Sequence, residues 1–384
     1  MADLAGAAVI IVGGGASGLS AAWWLARAGV DVLVIDKGIV AWEASGRNGG
    51  GCTHGFSPLF AEEQRLWPMM DELLGYPTEF CPTRIRISMD EDQFADSARM
   101  VTNGVYHGFH SERLDMTQLR ELVPLVGDAV YGAWHHHFGG HANPHRTVQG
   151  YAWAMQDHGG RLMQHTTVNG FEVTSGRVTA VLTDRGRLGC DQLVLAAGPQ
   201  SGKLAAMLGV TMPVASARAE MIVTEPLPLM PIGGADGNGL YGRQTMRGNL
   251  AYGGGPHEWL DMGDTMAVPP RSSTPLMGNI AGHLAKMFPR AAHARVIRSW
   301  AGVIENTPDG RPVIDRLEDP GNVVIATLSS IGFGLSPATG HAIQELVTDG
   351  ECHFADLSTL SLRRFAHILP DWAEEVGWVA VGSK

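Results

Sequence analysis

Lysine is nearly absent from this chain of 384 residues: Lys37, Lys203, Lys286 and Lys384 are all it has. Any mechanism that needs a buried lysine therefore has few candidates. Cysteine is as scarce, with Cys52, Cys81, Cys190 and Cys352 and no C-x-x-C spacing. That argues against a disulfide framework and for a reducing, cytoplasmic setting. Charged residues make up only 17%, the formal net charge is -11, and no basic block or arm occurs. Non-specific nucleic-acid binding is excluded on that balance. No apolar run approaches the length of a membrane span. The run Ala7–Val12 has no basic region before it and meets Gly13–Gly15 at once. It reads as a first strand and not as a signal peptide.

What is present is apolar residues at 45% and glycine at 50 copies. The length suits two intimate domains with a large buried core. The glycines cluster near expected strand ends and show no linker or collagen period. Ala7–Val12, a helix over Ser17–Ala28 and a strand over Val30–Ile35 form a βαβ unit of about thirty residues. Ala44–Gly51 reads as a loop, and Ala61–Leu74 as one amphipathic helix. Strands are expected at Cys81–Met89, Val130–Phe138, Thr166–Val173, Arg177–Thr183 and Gln192–Ala197. The runs Ala215–Glu225, Gly239–Gln244 and Asn249–Gly253 read as a separate antiparallel sheet. Helices are expected at Thr117–Leu122, His145–His158 and Met277–Phe288. After a strand at Asn322–Thr327, a last helix is expected from about Pro337 to Thr348, with Ser336 as N-cap.

Gly13-x-Gly15-x-x-Gly18 lies between strand and helix. Gly13 permits the tight turn, Gly15 lets backbone reach a pyrophosphate, and Gly18 lets helix and strand pack closely. Ala16 and Ser17 open the helix, whose N-terminal amides face phosphate. Asp36, eighteen residues after Gly18, ends the second strand and can accept bonds from a ribose diol; Lys37 follows it. This pattern serves FAD and NAD alike. The second loop separates them. Ala44-Ser45-Gly46-Arg47-Asn48-Gly49-Gly50 resembles the S-x-R-N-G-G segment of the D-amino-acid oxidase/sarcosine oxidase family. In that family the segment passes beside pyrophosphate and isoalloxazine, and Arg47 is placed to pair with phosphate.

Three further stretches resemble the same family. Asp191–Gly198 looks like its strand ending in A-A-G, which implies Ala197 and Gly198 at the cofactor, with Val168 nearby. Trp300-Ala301-Gly302, followed by Thr307-Pro308-Asp309, looks like its W-x-G…T-P-D segment. Ile331-Gly332-Phe333-Gly334-Leu335-Ser336-Pro337 looks like its flavin-edge loop and helix. There, backbone amides stabilise negative charge that develops on a reduced flavin. Relatives carry a G-H or H-G pair in this loop, whereas this chain reads Leu328-Ser329-Ser330-Ile331-Gly332. A lysine that promotes reaction with O2 in several family oxidases is missing from Asn249–Gly254, which favours a dehydrogenase. Cys52 and His54 follow the glycine loop, and no cysteine lies in Glu305–Arg316, so FAD is expected to be non-covalent.

For substrate, Tyr241-Gly242-Arg243-Gln244 resembles the family strand that delivers binding groups. Arg243 is the candidate for a substrate carboxylate, with Arg218 as the second. Tyr241 and His54 complete the candidate catalytic set. His135-His136-His137, with His141 and His145, suggest a metal cluster. Consecutive histidines on a strand point to opposite faces, however, and no cysteine or acid pairs with them in sequence. No metal is expected, and His137 or His141 either faces substrate or is a satisfied structural histidine.

The resemblance implies an α/β fold: a Rossmann-like FAD-binding domain with a parallel sheet (1–75, 140–212 and 300–384) interleaved with an antiparallel-sheet substrate domain (76–139 and 213–299). It implies oxidation of a secondary-amine amino acid (sarcosine-, proline- or opine-like) to an imine by hydride transfer to flavin N5. The most similar organisation is that of β subunits of heteromeric sarcosine oxidases, with smaller subunits as partners. A stand-alone amino-acid or amine oxidase releasing peroxide, and a non-catalytic FAD-stabilised assembly subunit, are the alternatives.

Overall fold

A computed structural model describes residues 3–261, 271–369 and 371–378. The chain opens with β1 (Asp3–Val12), α1 (Ala16–Arg27), β2 (Val32–Ile35) and a one-turn α2 (Ala44–Arg47) inside the expected loop. The helix expected over Ala61–Leu74 is divided. Pro68 lacks an amide to donate, and a 3-10 turn at Trp67–Met69 separates α3 (Phe60–Leu66) from α4 (Met70–Leu74).

Next come β3 (Cys81–Ser88), α5 (Glu91–Thr102), β4 (Ser111–Leu114), α6 (Met116–Leu122) and β5 (Gly132–His141). The sequence reading missed α5, although Asp90 caps it by accepting from the Gln93 amide at 2.8 Å. Then α7 (Pro144–Asp157), β6 (Arg161–Met163), β7 (Val168–Thr174), β8 (Arg177–Thr183), β9 (Arg187–Leu195) and α8 (Ser201–Ala206) return to the first layer. The second half holds β10 (Ala215–Pro226), β11 (Ala235–Gly237), β12 (Leu240–Gln244), β13 (Asn249–Leu260), α9 (Thr274–Met287) and β14 (Val296–Asn306). It ends with β15 (Val313–Arg316), β16 (Val323–Thr327), α10 (Gly332–Thr348) and a short α11 (Trp372–Val376).

Two eight-stranded sheets result. The first runs β15-β16-β9-β1-β2-β6, parallel from β16 to β6, with the β7–β8 hairpin attached to β9. Its central strands are apolar on both faces because helices and loops cover both. Ile11, Leu19, Trp23, Tyr151 and Leu335 pack on one side, and Ile10, Leu33, Leu193 and Ile325 on the other. The second sheet runs β14-β10-β13-β12-β11-β3-β5-β4 and is antiparallel except where β11 pairs with β3. Helix α9 covers one face, burying Ile222, Leu250 and Tyr252 against Leu276 and Ile280. The other face turns to the first layer. The segment boundary expected at 300 falls inside β14, which pairs with β10 from Val296 through Asn306.

The last helix starts earlier than expected, at Gly332, with Ser336 and Pro337 inside it. Pro337 cannot donate to the Phe333 carbonyl, and the Ser336 hydroxyl takes that carbonyl instead at 2.7 Å.

Candidate cofactor cavity and active site

One cavity follows the carboxyl ends of the parallel strands. Gly13, Gly15, Ala16 and Ser17 line it at the start of α1, and Asp36 and Lys37 at the end of β2. Ser45 and Asn48 line it from α2, Val168 from β7, Ala197 and Gly198 beyond β9, and Gly332 and Phe333 from α10. Gly13 has φ +115°, and a Cβ there would sit 2.2 Å from the Ala196 carbonyl oxygen, so only glycine fits. The Asp36 carboxylate accepts from the amides of Gly14 and Gly38, each at 2.7 Å, and thereby shapes the loop it was expected only to face. Ser45 accepts from the Ala16 amide at 2.9 Å. Asn48 donates to the carbonyls of Ala44 and Ser45 and accepts from the Gly50 amide, which closes α2 and sets the turn into the glycines.

Neither α1 nor α10 has a side-chain cap. Ser45 takes the Ala16 amide, and beyond it the Ser17 end of α1 and the Gly332–Phe333 end of α10 face this one cavity with their partial positive charge. The end of α10 contributes Gly332 and Phe333 directly. The helix start expected at Pro337 thus lies at Gly332, on the cavity wall.

Other expected cofactor residues stand behind the wall. A Cβ on Gly18 would lie 2.0 Å from the Gly13 carbonyl oxygen, so its place is the helix–strand contact. Arg47 does not line the cavity. Its guanidinium donates to the carbonyls of Trp42 (2.6 Å) and Ala301 (3.0 Å), while its own carbonyl accepts from the Trp300 indole. Burial lowers its pKa. These bonds link α2 to β14, on which Gly302 packs against the Arg47 stem. Ile331 is the N-cap of α10, and Leu335 is fully buried in the core. The Gly334 carbonyl accepts from the Trp67 indole at 2.7 Å.

Gly49 and Gly50 lie between the two layers. A Cβ on Gly49 would meet Tyr241 at 3.3 Å, and one on Gly50 would meet the Ala142 carbonyl oxygen at 2.1 Å and Arg243 Nη1 at 2.9 Å. Arg243 donates to the Gly49 carbonyl at 2.9 Å. Tyr241 and Arg243 are two apart on β12 and so share the face toward this loop. Burial pulls the Arg243 guanidinium down to about 10 and pushes the Tyr241 hydroxyl up to about 12. Among the described residues no carboxylate lies within ion-pair distance of Arg243. On the loop's far side, His54 Nδ1 meets a fully buried Glu63 at 2.7 Å, and its ring abuts Gly334.

The remaining candidates separate. Arg218 pairs with Glu220 (3.3 Å) and with Glu258. His137 lies at the sheet's outer edge, away from the cavity and paired with Glu112. His141 is buried, 3.6 Å from Asp236.

The profile of a family described as FAD dependent oxidoreductase matches residues 8–346. The chain belongs to this family. Among curated relatives, the β subunit of sarcosine oxidase from Rhodobacter capsulatus is 27% identical over 93% of this chain and 88% of its own. One of the subunits of opine oxidase from Rhizobium meliloti is 29% identical, covering 92% and 96%. Among solved structures, L-proline dehydrogenase from P. horikoshii superposes with a TM-score of 0.85 at 23% identity, covering 94% and 98%, and so shares the fold.

The cavity of this FAD-dependent oxidoreductase fits its cofactor on its own evidence. A dinucleotide bears charge at its pyrophosphate and, after reduction, at the flavin, and two helix N-termini open on the one cavity. A carboxylate suited to a ribose diol lines the same wall. Sequence reasoning missed Glu305 in that wall, which accepts from the Leu328 amide at 3.1 Å and whose pKa burial raises. It also missed a buried cluster on the loop-facing side of the second sheet. Arg84 Nε lies 2.6 Å from Asp236, with Tyr106 beside it, and Arg86 is on the same face. The signal was the alternation Arg84-Ile85-Arg86-Ile87, one face apolar and one cationic.

Proposed function

We propose that the chain oxidises a small secondary-amine amino acid at the carbon next to nitrogen, as the catalytic component of a heteromeric dehydrogenase. The observation that carries this reading is Arg243, a partly buried guanidinium beside the glycine loop with no acidic partner among the described residues. A planar fork of donors suits a carboxylate held by two parallel bonds. With the carboxylate fixed there, Tyr241 packs against the substrate's flank, and the α-carbon is turned toward the loop of Gly49 and Gly50. Bound FAD supplies the acceptor for the electron pair of the α-C–H bond. The amine enters deprotonated and loses its N–H proton to water, and water then hydrolyses the imine. The residues act by orientation and by excluding solvent, with no obligatory side-chain acid or base.

Gly13, Gly15, Ala16, Ser17, Asp36, Lys37, Ser45, Asn48, Val168, Ala197, Gly198, Gly332 and Phe333 would hold the cofactor. Attachment is non-covalent, since Cys52 is fully buried and its thiol is pushed well up by burial. Relatives named as subunits of sarcosine and opine oxidases match nearly the whole chain, which favours a heteromer over a stand-alone oxidase.

The test is anaerobic bleaching of the purified yellow protein with sarcosine, proline, hydroxyproline and opines, beside D-amino acids and simple amines. We expect bleaching by one of the first four, and Arg243→Ala to raise the KM for that substrate at least a hundredfold while FAD stays bound. Bleaching only by amines without a carboxylate would overturn the reading.

A further inference from the structure

We propose that the outer edge of the second sheet carries a divalent transition-metal site, suited to Zn(II), formed by Glu112, His135 and His137. The argument starts from register. Strand β4 ends the sheet and pairs only with β5, which sets Glu112 opposite His135. The His137 amide donates to the His110 carbonyl at 3.0 Å and carries the pairing one step further. Positions two apart on a strand share a face. Glu112, His135 and His137 therefore project together, on the face that Ile85 and Ile87 share and away from the cofactor cavity. His136, between them, faces the other way and meets Ser111 at 2.9 Å.

The distances suit one ion. Glu112 Oε1 lies 2.9 Å from His137 Nε2 and 3.4 Å from His135 Nδ1, and all three ligand atoms fall within 4.8 Å of one another. Bonds of roughly 2.0–2.1 Å to nitrogen and oxygen in a tetrahedron separate neighbouring ligand atoms by about 3.3 Å. An ion among these atoms needs only small side-chain shifts. Two imidazoles and one carboxylate select Zn(II) and its transition-metal neighbours over Mg(II) and Ca(II), which require oxygen shells. The His110 ring stacks on His137 at 4.3 Å and steadies that imidazole, and the fourth position is left to water. The acid that the sequence withholds from this histidine run sits twenty-five residues before His137, and only the β4–β5 pairing brings it in. The ion would staple the edge strand to its neighbour. The site is independent of the flavin chemistry.

The test is equilibrium dialysis of tag-free, chelator-treated holoprotein against Zn(II), with metal measured by elemental analysis. We expect one tight equivalent at micromolar Zn(II), undisturbed by millimolar Mg(II), and a rise in thermal midpoint on adding Zn(II). His137→Ala and Glu112→Gln should each weaken binding at least tenfold and abolish that rise. Their metal-free midpoint and flavin spectrum should match the parent, which shows that they fold. Zn(II) binding equal in the parent and in a His135→Ala/His137→Ala double variant, or absent from both, would overturn the proposal.

Discussion

Ser329 and Ser330 occupy left-handed backbone, at φ 47° and 70°, immediately before α10. Ser329 is compensated, since its hydroxyl accepts from Asn306 (3.1 Å) and from the Thr307 amide (3.2 Å). Ser330 lines the cavity and has no such bonds among the described residues. A left-handed L-residue costs about 1–2 kcal/mol, and glycine removes that at an unfolded-chain entropy cost of about 0.5–1 kcal/mol. Ser330→Gly should therefore raise the thermal midpoint slightly, with a net gain of about 0.5–1 kcal/mol; a lowered midpoint would mean that the side chain makes a contact worth more than the strain. Asp236 gives a larger effect. Burial alone would raise its carboxyl, but the Arg84 guanidinium, His141 and the Gly242 amide bring it well below the usual carboxylate range. Asp236→Asn leaves Arg84 buried and unpaired and should cost about 3–5 kcal/mol. Because the folded value lies below the unfolded one near 3.9, this stabilisation is present above that pH and lost as pH falls through the folded value. Denaturation of parent and variant should differ fully at pH 6–8, and the gap should begin to narrow only below about pH 4. A gap that holds constant into acid would assign the loss to shape and not to charge.

Helices α1 and α10 bring both N-termini to one cavity because they cross closely. A Cβ on Gly340 would stand 2.2 Å from Ser20 Oγ and 2.8 Å from the Ala21 amide nitrogen. Gly340→Val should push the helices apart, cost about 1–3 kcal/mol by overpacking and weaken FAD retention. A variant with parental midpoint but reduced FAD would show that the crossing sets geometry more than stability. At this scale the sequence was informative wherever pattern is local. The βαβ unit, the β7–β8 hairpin and five strands of the second sheet (β3, β5, β10, β12 and β13) follow from apolar runs and turn residues, whereas β4, β11 and β14 were not expected. It failed where tertiary partners decide. The start of α10 depends on Ser336 replacing the donor that Pro337 lacks. The bonds of Arg47 to the carbonyls of Trp42 and Ala301 depend on elements far apart in sequence. The pairing of Glu112 with His137 needs a register that no local pattern specifies.

The two layers meet across the glycine loop, and the charge on the face that the second sheet presents there bears on the proposed choice of electron acceptor. Ala251 on β13 is registered opposite Arg243 on β12, so it shares the loop-facing side. Among the described residues that side carries no lysine. Lys37 pairs with Glu43 at 3.6 Å, Lys203 lies on α8, and Lys286 lies on α9, which covers the opposite face; Lys384 lies outside the described residues. Reduction of O2 begins by making an anion, and a fixed charge beside it in a water-poor site is worth about 2.7–4 kcal/mol, or roughly 10²–10³ in rate. Arg243 is the cation beside the glycine loop, and a bound carboxylate would neutralise it. Substrate-bleached protein mixed with oxygenated buffer in a stopped-flow instrument should therefore regain its colour slowly, and turn over faster with an artificial dye or a partner protein. Recovery as fast as bleaching would overturn the dehydrogenase reading in favour of a peroxide-forming oxidase. Ala251→Lys places an ammonium on the loop-facing side and should speed recovery in air by at least tenfold. The same substitution at Leu250, whose side chain is buried under α9, should instead destabilise the sheet without that gain.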